Sequence, residues 1–82
     1  MQDQSQTIKL MTLGEAREGT KLKIIETGNE QVDLFALRFG VGTGAMVEVE
    51  KNIRGGPVII SRNQMELAIG REIADAIKVE SI

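Results

Sequence analysis

Apolar and polar residues alternate with a period of two over much of the chain. In Thr20 to Thr27, Leu22 and Ile24 share one face and Lys21 and Lys23 the other, with Ile25 extending the run, which predicts a half-buried strand. Ala45 to Lys51 repeats the pattern, with Val47 and Val49 set against Glu48 and Glu50. Pro57 to Ser61 is a β-branched run, and Met65 to Ile69 places Met65, Leu67 and Ile69 against Glu66 and Ala68. Ala76 to Ile82 sets Ile77 and Val79 against Lys78 and Glu80, the fifth such stretch. Met46 and Met65 fall within these patterns and read as core filling rather than thioether ligands.

The period changes in one place. Val32, Phe35, Ala36 and Phe39 stand at i, i+3, i+4 and i+7, a helical stripe directed at the core. Asn29 is the expected N-cap, Glu30 and Asp33 complement the helix dipole in the first turn, and Gly40 stands where a left-handed residue closes a helix. Arg71 to Asp75 has room for one further helical turn before the last strand. One helix between the first and second of about five short strands, with glycine turns, predicts an all-β fold, a small barrel rather than a layered α/β domain.

Residues 1–10 are expected to form a flexible leader, being polar until Ile8, and residues 11–82 a single domain that begins near Met11. A chain of 82 residues has room for one core only. With 41% hydrophobic and 27% charged residues it reads as a soluble globular domain, with no signal-peptide pattern and no membrane-inserting stretch, and a cytoplasmic home is the expectation.

Composition removes most chemistry. The sequence contains neither Cys nor His, so thiolate nucleophiles, disulfides, iron–sulfur ligation and imidazole ligands are excluded, and no enzyme, cofactor or metal role is expected. A formal net charge of −2 and only two aromatic residues, Phe35 and Phe39, argue against nucleic acid as a partner. Glu48, Glu50, Glu66, Glu72, Asp75 and Glu80 lack the spacing of a calcium loop and read as solvent-facing charge.

Two glycine motifs invite functional readings. Gly40 to Gly44 (GVGTG) superficially resembles a phosphate loop, but it follows a helix and precedes a strand, the reverse of a dinucleotide fingerprint, and it lacks a GK[ST] dipeptide. It reads as a helix-to-strand turn. Asn52 to Pro57 (NIRGGP) reads as a tight hairpin in which Gly55 and Gly56 both supply positive φ, with Arg54 at the tip.

In order, the segments TLGEAREGTKLKII (Thr12 to Ile25), Phe39 to Gly44, Gly56 to Ile60, and Leu67-Ala68-Ile69 followed by Arg71-Glu72, Ala74, Ile77 and Val79 resemble the ferrous iron transport protein A family, FeoA. The resemblance runs from Thr12 to Val79 and implies an SH3-like barrel. It also implies an accessory role in bacterial ferrous iron uptake, docking on the cytoplasmic side of FeoB, a membrane iron transporter, at its GTP-binding domain or membrane part. The sequence is also similar to the SH3-like domain that ends iron- or manganese-dependent repressors, which implies the alternative of a stand-alone regulatory module acting with a repressor. A third reading is a small oligomeric scaffold. The chain departs from the family pattern at Thr43, where the family often has Pro, and at Asp33, Leu34 and Phe35, where it commonly has basic residues. An apolar partner surface is therefore expected. Leu34 projects about 100° from Phe35, beside Arg38 and outside the core stripe. With Leu37 on the helix flank and Val41 in the following loop it is expected to form a patch for self-association or docking, with Arg54 as the other contact candidate.

Overall fold

The computed structural model describes residues 10–82. Its elements are β1 (Leu10–Thr12), a 3-10 turn (Leu13–Glu15), β2 (Lys21–Glu26), α1 (Glu30–Arg38), β3 (Met46–Asn52), β4 (Val58–Arg62), β5 (Met65–Ile69), α2 (Arg71–Ala74) and β6 (Lys78–Ser81). All strands pair antiparallel in one sheet of order β1-β6-β2-β3-β4-β5. The five expected strands and the helix are present, and a sixth strand, β1, was not foreseen. It pairs Leu10 with Glu80, so one residue of the expected leader is part of the sheet. The rest of the expected leader, residues 1–9, lies outside the described residues.

The fold is SH3-like and all-β, but the sheet does not close into the expected barrel: β1 and β5 are left as separate edges. Two irregularities bend it. Ile25 is the extra residue where β2 meets β6, and Glu50 the extra residue where β3 meets β4. The Glu50 carboxylate accepts a hydrogen bond from the Ser61 hydroxyl across that bulge at 2.6 Å.

The inward positions of each strand build the core. Leu22 and Ile24 of β2, Val49 of β3, Val58 and Ile60 of β4 and Val79 of β6 are fully buried, and Leu13 of the 3-10 turn joins them. The alternation read from the sequence thus fixes which face is wet. Met46 is a correction: it stands exposed at the start of β3 rather than in the core, while Met65 is half-buried.

Helix α1 begins and ends as its sequence dictates. The Asn29 side chain accepts the Val32 N–H at 2.8 Å. At the other end Gly40 has φ +73°, its N–H donates to the Leu37 carbonyl at 3.0 Å, and the Val41 N–H donates to the Ala36 carbonyl at 2.9 Å. This is the Schellman arrangement, and it carries the usual apolar contact: the residue after the glycine packs back on the last turn. Val41 is therefore buried, at 6% exposure, which corrects its expected place in a surface patch.

The loops differ from expectation in one respect. Only Gly55 of the glycine pair has positive φ, and the β3–β4 connection is a five-residue loop closed by Ile53 N–H to Pro57 O at 3.1 Å, not a two-residue turn. The tight hairpin is instead β4–β5, where Asn63 (φ 51°) and Gln64 (φ 69°) supply the two left-handed residues of a type I′ turn. Gly40→Val is expected to destabilise the domain by about 2 kcal/mol, because a β-branched residue resists positive φ, and to lower Tm by about 8 °C or more. A calorimetric scan checks it; an unchanged Tm contradicts the helix closure described.

Candidate functional site

Because the sheet stays open at β5, the core is not sealed on that side. An apolar cleft of about 340 Å³ lies between α1, β5 and α2. Leu13, Ile24, Ile60 and Ile77 form its floor; Val32, Phe35 and Ala36 line it from α1, and Leu67, Ile69 and Ile73 from the opposite wall. Gln31 is its one polar side chain.

Phe35 stands at its mouth. The stripe of four expected to face the core is in fact three, since Val32, Ala36 and Phe39 pack inward whereas Phe35 is 56% exposed. Geometry explains the difference. Val32, Ala36 and Phe39 span only about 60° of the helix surface, and Phe35 falls about 70° from the middle of that arc. Its ring leans on Phe39, with centroids 4.9 Å apart and planes at 58°.

The expected contact residues divide. Leu34 (68% exposed), Leu37 (57%) and Arg38 share the outer face of α1, so an apolar face with one cation does exist beside the cleft. Val41 is not part of it. Arg54 is exposed on the β3–β4 loop and lines a separate polar depression with Gly14, Asn52, Arg71 and Asp75. Among the described residues no group of three or more acidic, His or Cys side chains is placed to hold a metal ion.

The wall of the cleft carried by α2 is held by a side chain the sequence did not single out for this role. Arg71 donates from Nε to the Gly56 carbonyl at 2.9 Å, from Nη1 to the Gly14 carbonyl at 2.9 Å, and from Nη2 to Asn52 Oδ1 at 2.6 Å and the Ile53 carbonyl at 2.7 Å. Asn52 in turn donates to the Gly14 and Ala16 carbonyls at 3.0 and 2.6 Å. One planar guanidinium thus ties α2 to the 3-10 turn and to the β3–β4 loop. A Cβ on Gly14 would meet the Asp75 carboxylate, which would have to swing away from Arg71. The available signal was an Arg at the start of a four-residue helix, too short to stand without an external tie.

A family model described as the FeoA domain matches residues 11–81. The chain belongs to the FeoA family. The FeoA chain is similar to a crystal structure titled Iron Uptake Regulatory Protein (FeoA), at 25% identity and TM-score 0.79, covering 92% of this chain and all of that one. It is similar also to the solution structure of the FeoA protein from Chlorobium tepidum, at 26% identity and TM-score 0.78, covering 88% of this chain and 70% of that one. A manganese-dependent transcriptional repressor shares the fold at 20% identity and TM-score 0.77, with 96% of this chain matching 45% of the repressor. A search of curated proteins gave no match. FeoA membership makes this a small domain associated with iron transport. No helix among the described residues is long and apolar enough to cross a membrane.

Arg71→Ala is expected to cost about 2 to 3 kcal/mol, because it leaves three carbonyls and the Asn52 oxygen without their charged donor. Arg71→Lys, with no planar fork, should recover less than half of that. Urea denaturation measures both; a loss under about 0.5 kcal/mol for Arg71→Ala contradicts the tie.

Proposed function

We propose that this FeoA chain is a non-catalytic accessory protein of bacterial ferrous iron uptake that docks on the cytoplasmic side of a FeoB-type transporter through α1 and the adjoining cleft. The observation that carries the reading is the apolar cleft with exposed Phe35 at its mouth, beside the exposed Leu34 and Leu37 on the outer face of α1. Water covers large side chains there that a folded partner would desolvate, and burying each Leu or Phe fully is worth about 1.5 to 3 kcal/mol. Arg38 at the rim supplies a cation that favours an acidic contact on the partner. The functional groups on the side chains are carboxylates, amides, hydroxyls, ammonium and guanidinium groups and methionine thioethers, with neither thiol nor imidazole, which supports a docking role over a catalytic one.

The likeness to a repressor, of which this chain matches less than half, favours a second reading: a detached module acting on a metal-dependent DNA-binding protein. At 20% identity that likeness concerns the fold alone.

Calorimetry of the chain against the soluble GTP-binding domain, and pull-down with the full transporter, separate the readings. Leu34→Glu should leave stability within about 0.5 kcal/mol while weakening transporter binding at least about tenfold. Arg54→Ala should leave binding unchanged. Failure of the wild-type chain to bind either form of the transporter, or unaltered binding by folded Leu34→Glu, overturns docking through α1. Ferrous iron should bind no tighter than about millimolar, as expected of scattered carboxylates, when titrated anaerobically. A stoichiometric micromolar site contradicts a purely accessory role.

A further inference from the structure

The β5 edge carries an inference of its own. The two-residue turn at Asn63 and Gln64 makes Arg62 and Met65 a hydrogen-bonded pair, and the uninterrupted register then makes Ile60 with Leu67 and Val58 with Ile69 hydrogen-bonded pairs as well. The N–H and C=O groups of Glu66 and Ala68 consequently point away from β4, and none of the described residues supplies a partner to them. Natural edges are blunted by Pro, Lys, a bulge or extreme shortness. The opposite edge, β1, is three residues long among the described residues, whereas β5 has five residues, neither Pro, Lys nor bulge, and Glu66 as its one charge.

We propose that β5 pairs antiparallel with β5 of a second copy of this chain, Glu66 opposite Ala68 and Leu67 opposite Leu67. The register follows from the chemistry of the edge. Only Glu66 and Ala68 offer outward main-chain groups, so the hydrogen-bonded pairs across a two-fold axis are Glu66 with Ala68, twice, Ala68 with itself, or Glu66 with itself. The first makes four hydrogen bonds and places each exposed carboxylate against a methyl group rather than near its own copy. With the axis normal to the sheet, both concave faces lie on one side of the joined sheet. Leu67, which lines the cleft, then meets its own copy across the junction, so the dimer covers part of the apolar wall at the β5 edge. The pairing is read from the chain alone and does not rest on docking to a transporter.

Sedimentation velocity from about 20 µM to 1 mM should show a monomer passing to a dimer. Ala68→Pro removes an outward N–H that no β4 group accepts, so it should keep the fold by circular dichroism and remain monomeric throughout that range. Ala68→Glu faces Glu66 of the second copy and should weaken dimerisation at least about tenfold. Adding Glu66→Lys to Ala68→Glu should restore dimerisation to within about threefold of wild type in this register, and not when Ala68 faces itself. A wild-type chain that is monomeric at 1 mM, a dimer that survives Ala68→Pro in folded protein, or a double variant that stays weak would each overturn the proposal. Should Ala68→Pro fail to fold, the two charge variants still decide it.

Discussion

The guanidinium of Arg71 is the contact on which the arrangement depends. Two separate segments turn three carbonyls toward it: Gly14 from the 3-10 turn, and Ile53 and Gly56 from the β3–β4 loop. Asn52 completes the cradle and fastens the 3-10 turn to the end of β3. The Asp75 carboxylate, 3.9 Å from Nη1, adds the only counter-charge in reach among the described residues. A four-residue helix has almost no stability of its own, so the position of α2, and with it Ile73 in the cleft wall, is set by this network rather than by helical propensity.

Openness follows from the same economy of size. A sheet of six short strands buries enough apolar surface to fold, but with bulges at Ile25 and Glu50 and no pairing between β1 and β5 it leaves one side of its core to be covered by helices. Helix α1 covers part of it with Val32, Ala36 and Phe39. Because Ala36 is small and Phe35 turns to the rim, a cleft remains where a closed barrel would have packed side chains. The apolar site is thus a product of incomplete closure and not an added feature.

Much of this was legible in the sequence where local chemistry decides. Alternation located β2 through β6, and Asn29 and Gly40 located both ends of α1, because caps and two-residue periods are properties of neighbouring residues. What was not legible depends on distant partners. Three residues of β1 carry no period, and only pairing with β6 makes them a strand. Phe35 matches the helical stripe but lies at its margin, and which margin is covered depends on where β5 stops. Val41 was readable in principle: a valine following a helix-closing glycine is the apolar partner of the Schellman turn. Arg71 was visible only as one basic residue among others, since its acceptors come from chain segments up to 57 positions away.

The resemblance read from ordered motifs holds for the family and fold, and the apolar departures at Leu34 and Phe35 fall on the exposed side of α1, one of the elements that border the cleft. Docking through that face is tested most directly by titrating the isotopically labelled chain with the transporter's soluble GTP-binding domain and following its amide resonances. The expected result is a contiguous set of shifts in Gln31 to Phe39 and Leu67 to Ile73. Shifts confined to the Arg54 loop, or to the outer face around Lys21, Met46 and Ile82, would contradict it.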